Sequence, residues 1–220
     1  MIVLAIDTAG VDCSAAVFDS EAGRVLAEVT DMIGKGHAER LMAVIDEALE
    51  KAGRDLKEVE RIAVVTGPGS FTGIRVGVAA ARGLALALNA DCVGVTTLET
   101  LAAQHFQAGG SAPVLAAMDA KRGEVYVQAF SADESPLSES RAMTHAEATG
   151  FSASLAGEVV GSGRAVILGE SVASPAVDRF DIATVARLGA TRPASTGRPR
   201  PVYLRGPDAK PQAGYALARA

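Results

Sequence analysis

Apolar segments separated by short polar turns predict an α/β domain in the first half of the chain. Three segments at residues 2–6, 14–18 and 25–29 follow one another with glycine-containing connections, which indicates an antiparallel meander. A helix should follow, because apolar residues recur at helical spacing between 41 and 52 and charged residues occupy its other side. A buried strand at 62–65 comes next, so the pattern predicts three strands, a helix and a fourth strand.

The segment 66–77, TGPGSFTGIRVG, joins that strand to a long apolar helix ending near residue 88. Four glycines and a proline indicate a tight turn that exposes backbone amides at the start of a helix, where anions bind. The segment lacks the Lys-Ser/Thr ending of a Walker P-loop. One interpretation is a nucleotide-phosphate site, whose candidate residues are Asp7, Thr8, Gly67, Gly69, Ser70, Thr72 and Arg75. The other is a structural elbow in which Ser70 and Thr72 cap the helix.

The helix that follows this turn is apolar on almost every side. Small residues recur along it, including Gly77, Ala81 and Ala87, and they would allow another helix to approach closely. A helix that is hydrophobic all round is buried, either in the core of its own domain or against a partner. The sequence leaves both alternatives open.

The opening pattern of strand, aspartate, turn and strand recurs after a Gly-Gly-Ser boundary near residue 110. Leu4 and Asp7 correspond to Ala116 and Asp119, at an offset of 112 positions. Two similar halves predict a duplicated actin-like ATPase fold (RNase H-like), an α/β fold of two lobes that each hold a mixed sheet flanked by helices. The predicted divisions are an N-terminal lobe at 1–106, a C-terminal lobe at 107–205 and a basic, proline-containing tail at 206–220.

Composition and charge restrict the functional classes. The net charge of −5 argues against a protein that binds nucleic acid by itself. Residues 190–220 are nevertheless basic, and their two interpretations are a solvated tail and a contact with a partner or RNA. The amino-terminal segment meets Asp7 too early for a signal peptide, and the apolar run at 76–88 is too short for a bilayer. We therefore expect a cytoplasmic protein that does not bind a membrane.

No catalytic or metal-binding arrangement is evident in the spacing of reactive side chains. His37, His105 and His145 lie far apart, and Leu41 occupies the position where a metal ligand one turn after His37 would stand. The segment 37–39 is better interpreted as a helix N-terminus. Two isolated cysteines, Cys13 and Cys92, should be reduced and packed. We therefore predict neither catalytic residues nor a metal site.

Several motifs together resemble the TsaB (YeaZ) family of bacterial tRNA threonylcarbamoyladenosine biosynthesis proteins. The most specific is the glycine segment 67–77. Matching elements in the same order are LAIDT at 4–8, HAERL at 37–41, GVTTLE at 94–99, DAKRGEVY at 119–126 and VYLR at 202–205. Residues 131–190 carry no motif that matches. Ala9 stands where serine is common, which weakens a phosphate role for the first turn.

The resemblance implies a non-catalytic paralogue of TsaD. Proteins of this family pair with TsaD, or form a homodimer when alone, and the pair recruits the ATPase TsaE. The complex transfers threonylcarbamoyl to an anticodon-loop adenosine of tRNAs that read codons beginning with A, so tRNA binds only through the complex. No cofactor of its own is implied, apart from weak ATP or ADP binding at the junction with TsaD. Two helices form the pairing surface, with the implied contacts His37, Leu41, Val44, Ile45, Ala48, Ile74, Gly77, Val78, Ala81 and Ala85.

The main alternative is an ATP-binding or ATP-hydrolysing enzyme of the actin-like kinase superfamily. It would use Asp7, Thr8 and the glycine turn. The second half shows no matching glycine-rich turn by sequence, and this favours the scaffold. A third hypothesis is direct tRNA binding through the basic tail.

Overall fold

A computed structural model describes residues 1–171, 176–194 and 197–205. The predicted tail at 206–220 lies outside the described residues. The first sheet has five strands, in the order β3-β2-β1-β4-β5. Their bounds are β1 Ile2–Asp7, β2 Asp12–Asp19, β3 Arg24–Met32, β4 Val59–Val65 and β5 Asp91–Val95. The first three strands pair antiparallel, as the glycine-containing turns predict, and β4 and β5 add in parallel.

The helices of the first lobe cover both faces of this sheet. They are α1 His37–Ala52, α2 Phe71–Leu88 and α3 Thr97–Gln107, with a 3₁₀ turn at Leu56–Glu58. Helix α1 packs on β2 and β3, and α2 packs on β4 and contacts α1. Strand β1 is buried throughout and β4 is buried except at Glu60, because helices pack on both strands.

The second sheet repeats the topology of the first and confirms the predicted duplicated α/β fold. Its order is β8-β7-β6-β9, and β6 pairs antiparallel with β7 and parallel with β9, as β1 does with β2 and β4. The bounds are β6 Val114–Lys121, β7 Glu124–Phe130, β8 Arg141–Thr144 and β9 Glu158–Val160, with α4 His145–Leu155 and α5 Arg164–Leu168. Two strands and two helices therefore lie within 131–190, where no motif matches.

A bulge changes the register of the second hairpin relative to the first. Asp7 faces Ser14 in the first hairpin. An offset of 112 would place Tyr126 opposite Asp119, but Asp119 faces Val125, and the register shifts between Asp119 and Lys121. The duplication therefore holds for strand order, while the second turn differs in local geometry.

The two faces of β6 belong to two different cores. Val114, Ala116 and Met118 belong to the large core of the first lobe. Leu115 and Ala117 alternate with them and belong to a smaller core that α4 and α5 complete. The lobes are consequently joined by packed apolar side chains.

Helix α6, Ile182–Thr191, returns to the first lobe. It packs on β1, β2 and β4. Buried Arg61 donates to the carbonyl oxygens of Gly189 (3.1 Å) and Arg192 (2.7 Å), which neutralises the negative end of the helix. The predicted C-terminal lobe, 107–205, thus includes a helix whose packing lies with the first sheet.

Candidate functional site

The first hairpin turn and the glycine turn are in direct contact. The Thr8 hydroxyl donates to the Gly73 carbonyl (2.7 Å), and the Ser70 amide donates to the Ala9 carbonyl (2.7 Å). A Cβ atom at Gly73 would lie 1.9 Å from the Thr8 carbonyl oxygen, and one at Gly69 would lie 2.5 Å from that of Ala9. Both glycines are required because two backbones meet there, which favours the structural elbow among the alternatives.

The chain segment 199–205, here called the strap, covers the first part of the glycine turn. The Val202 amide donates to the Thr66 carbonyl (2.8 Å) at the end of β4. Gly67 has a φ of 100°, and a Cβ there would lie 3.2 Å from the Val202 carbonyl oxygen. At the other end of the strap, Arg205 donates to the carbonyl oxygen of Ala120 (3.1 Å) and pairs with Glu124. The strap therefore connects the glycine turn with the second hairpin turn.

Asp7 is completely buried beside these turns. Its Oδ1 accepts a hydrogen bond from the Ala9 amide (2.8 Å), whereas no described group hydrogen-bonds to the buried Oδ2. Burial, helped by the nearby Asp12 and opposed by the hydrogen bond from the Ala9 amide, raises the pKa of Asp7 to about 7. A carboxyl group in this environment is largely neutral below that pH.

The predicted phosphate residues of the glycine turn are used in other ways. The Ser70 hydroxyl accepts from the Gly73 amide (3.2 Å) and caps α2, as the structural alternative predicts. Thr72 is exposed on the first turn of the helix. The Arg75 guanidinium lies over the Phe71 ring and donates from Nε to the Tyr203 hydroxyl (2.8 Å). Sequence analysis did not predict Phe71 or Tyr203 as site residues. The i,i+4 spacing of Phe71 and Arg75 on one helix face could have revealed the contact between those two side chains.

The second lobe contains a glycine-containing turn that sequence analysis missed. Gly161, Ser162 and Gly163 follow β9 at the position where the glycine turn follows β4. The Ser162 hydroxyl accepts from the Asp119 amide (2.8 Å), and the Ser162 amide donates to the Asp178 carboxylate (2.7 Å). The expectation that the second half has no such turn was therefore wrong. The Asp178 carboxylate accepts from the Ser162 amide and hydroxyl, and the Gly163 amide donates to the Ala117 carbonyl oxygen (2.9 Å).

The residues at the two turns of the first lobe do not fit a nucleotide phosphate. The Thr8 carbonyl oxygen contacts Gly73, the Val202 carbonyl oxygen lies against Gly67, and both atoms repel anions. No phosphate chemistry follows from this arrangement.

Among residues 1–171, 176–194 and 197–205, no group of three or more His, Cys, Asp or Glu side chains could hold a metal ion. His37 is buried, and its Nε2 lies 3.1 Å from the Asp12 carbonyl oxygen. The interpretation of 37–39 as a helix N-terminus is confirmed in part, since α1 begins at His37. The N-cap, however, is Gly36 in a left-handed conformation, without a side-chain hydrogen bond.

The ten residues implied as partner contacts all face the interior. His37, Leu41, Val44, Ile45 and Ala48 are buried on α1, and Ile74, Gly77, Val78, Ala81 and Ala85 are buried on α2. They are the apolar stripes that attach the two helices to the sheet. Because these residues are buried in the isolated chain, the outward-facing residues of the same helices would provide most of a docking surface, and the implied contact set stays a prediction.

Helix α2 has an unusually apolar outer surface. Its 18 residues have a mean hydropathy of 1.4, but only 33% of the helix is buried. In the described part of the chain it is the one helix long and apolar enough to cross a membrane, by length and composition alone. It packs on β4 and contacts β1, β5 and α1 as part of the folded domain. The outward-facing apolar residues of the α1–α2 pair are Ala38, Met42, Ala43, Phe71, Ala79, Leu86 and Ala87.

Known proteins share this fold and much of this sequence. The model of the family described as "TsaD: tRNA N6-adenosine threonylcarbamoyltransferase" matches residues 25–150, more than half of the chain. The chain belongs to the TsaD family, in its TsaB (YeaZ) group. The TsaB protein of Escherichia coli is 38% identical over 137 residues, which are 62% of this chain and 58% of that protein. The TsaB protein of Bacillus subtilis is 37% identical over 128 residues, 57% of this chain and 53% of that protein.

Two solved structures are similar to this chain over most of its length. YeaZ from Pseudomonas aeruginosa is 27% identical, with a TM-score of 0.71 over 86% of this chain and 90% of that one. An uncharacterized protein with similarity to peptidase YeaZ, from the same organism, is 25% identical, with a TM-score of 0.74 over 93% and 99%. By sequence, this chain spans somewhat more than half the length of the curated relatives that it matches.

Proposed function

We propose that this chain is a non-catalytic scaffold subunit of the TsaB type, which pairs with TsaD in transferring threonylcarbamoyl to an anticodon-loop adenosine of tRNA. The observation that carries the scaffold role is the contact between the Thr8 carbonyl oxygen and Gly73. At that contact, the two turns that the kinase-type alternative requires for phosphate are packed against each other. The name that the relatives share, tRNA threonylcarbamoyladenosine biosynthesis protein, supports the process.

The outer surface of α2 supports pairing with another protein. Leu86 is 70% exposed, and Ala79 lies seven residues before it on the same side of the helix. A soluble protein gains little by exposing so apolar a helix unless a partner covers it. TsaD is the proposed partner, TsaE joins the pair, a homodimer forms when the chain is alone, and any ATP or ADP binds weakly at the junction with TsaD. We expect the complex in the cytoplasm.

The experiment is a reconstitution of tRNA threonylcarbamoylation with TsaD and TsaE of the same organism, with and without this chain. We expect modification to depend on the added chain. Leu86→Arg should abolish copurification with TsaD, because it places a charge in the centre of an apolar contact. Leu137→Arg is the matched control, since Leu137 is also exposed (55%) but lies outside α1 and α2. Modification that proceeds equally well without the chain would refute the proposal.

Arginine substitutions at Gly77 and Ala81 are unsuitable for this test. A side chain at Gly77 would place Cβ 2.5 Å from the Thr8 hydroxyl oxygen, and Ala81 is completely buried. Arginine at either position would disturb the fold, so loss of binding would not identify the interface.

The kinase-type alternative predicts a different experimental result. It requires magnesium-dependent ATP turnover by the isolated chain that is lost in Asp7→Ala.

A further inference from the structure

Phe71, Arg75 and Tyr203 form an ordered cluster on the surface at the amino end of α2, here called the arginine anchor. The guanidinium carbon of Arg75 lies 3.5 Å from the Phe71 ring centroid and 5.5 Å from that of Tyr203. The two aromatic rings lie 5.3 Å apart. Both rings remain about half exposed. The cluster therefore combines a cation and two aromatic surfaces at a position open to solvent.

The contacts of Arg75 leave part of its guanidinium available. Nε–H donates to the Tyr203 hydroxyl (2.8 Å), and the planar group stacks on Phe71. Within residues 1–171, 176–194 and 197–205, Arg75 has no carboxylate partner, whereas Arg40, Arg61 and Arg205 each have one. Its terminal amino groups are thus held in a fixed orientation without an internal acceptor. Such pre-organisation lowers the entropic cost of binding an anion.

We infer that the arginine anchor receives a carboxylate side chain of a protein partner that docks along the outer face of α2. The inference rests on the proposed function, because it specifies the chemistry of the same pairing surface. Helix α2 contains two arginines and no acidic residue, so the complementary surface is acidic. Arginine and aromatic residues packed together are also the commonest anchors of protein interfaces.

The surroundings of the anchor favour a protein partner over a nucleic acid. The outer face of α2 between Arg75 and Arg82 is apolar, with Ala79 in its middle. Of the two arginines of the strap, Arg200 is exposed, and Arg205 is engaged by Glu124 and by carbonyl oxygens of the second hairpin turn. Binding to a phosphate backbone draws on several neighbouring cations, whereas one oriented guanidinium beside apolar surface suits a single carboxylate.

The test measures the affinity of the full chain for TsaD at 50 and 300 mM salt. For Arg75→Gln we expect an affinity about tenfold lower or worse at 50 mM salt, together with a weaker salt dependence than that of wild type. Arg75→Lys should recover only part of the loss, because an ammonium group lacks the planar fork. Arg24→Gln, at an exposed arginine on β3, is the control for net charge and should change affinity by less than about threefold. Leu86→Arg should abolish binding.

The outcomes separate this inference from the function on which it rests. Wild-type affinity in Arg75→Gln, together with loss of binding in Leu86→Arg, would overturn the anchor and leave the scaffold in place. Failure of wild type to bind TsaD would overturn both. Binding of tRNA by the isolated chain that is lost in Arg75→Gln would overturn the anchor in favour of a nucleic-acid contact. Tyr203→Phe keeps the ring but removes the hydroxyl that accepts from Arg75 Nε–H. A partial loss of affinity for TsaD at unchanged thermal stability would support the claim that Tyr203 holds the Arg75 guanidinium in its binding orientation.

Discussion

Replacement of Asp7 by asparagine should make the protein more stable at neutral and alkaline pH. Burial raises the pKa of Asp7 from its ordinary 3.8 to about 7 in the folded protein. The folded state therefore holds its proton more tightly than the unfolded state does. The stability that comes from the protonated form is complete below pH 3.8 and is lost as the pH rises through about 7. Asparagine keeps the acceptor for the Ala9 amide and carries no charge at any pH.

The difference between the Asp7 pKa values of the folded and unfolded states sets the size of this effect on the unfolding free energy. It corresponds to a loss of ~4 kcal/mol of unfolding free energy once both states are ionised. Between pH 5 and pH 8 the wild type should lose about 2–3 kcal/mol of this amount, whereas Asp7→Asn should not. The difference in unfolding free energy, variant minus wild type, should grow by that amount over the same range.

Urea denaturation followed by circular dichroism at pH 5, 6, 7 and 8 measures this difference. The equivalent residue of the second lobe, Asp119, provides the control. Burial acts to raise its pKa, but hydrogen bonds from Lys121 outweigh burial and lower it. Asp119→Asn should therefore show no such growth with pH. A pH-independent difference for Asp7→Asn would refute the claim that the Asp7 carboxyl is neutral in its buried position.

Two further predictions concern close packing and burial. Gly73→Ala should cost ~3 kcal/mol of unfolding free energy in urea, because the new Cβ would lie 1.9 Å from the Thr8 carbonyl oxygen. Gly83→Ala, on the same helix with nothing within 4 Å of its Cβ, should instead stabilise the protein by about 0.5–1 kcal/mol, and equal effects of the two variants would contradict this explanation. Burial raises the pKa of Cys13 and Cys92 to about 11, so neither thiol should react with iodoacetamide at pH 8 within an hour until guanidinium unfolds the protein. Rapid alkylation of the native protein, followed by mass spectrometry, would show that the thiols are accessible.

Local patterns predicted the elements of the first lobe well. The amphipathic spacing of α1, the meander before it and the strand before the glycine turn all appear where the pattern indicates, with bounds extended by a few residues at most. The recurrence of Asp7 as Asp119 predicted the second sheet. Spacing alone did not reveal the bulge beside Asp119, because a bulge depends on how two strands pair.

Local sequence patterns could not predict which face of α2 is buried. An almost uniformly apolar helix has no polar side to mark its outer surface, so Ile74 and Leu86 look equally suited to a core or to a partner. The contacts with β4 decide the matter, since they bury Ile74 and leave Leu86 exposed. The strap likewise depends on contacts between residues more than a hundred positions apart, such as Arg75 and Tyr203.

The sequence by itself determined the fold class, the duplication and the family, because strand and helix periodicity and the glycine segment are local properties of the chain. Only the tertiary structure decided what the glycine turn does. The turn meets the Thr8 and Ala9 carbonyl oxygens and the strap, so its glycines permit backbones to touch where a phosphate would otherwise lie. Contacts between distant segments select one role among those that the same local pattern allows.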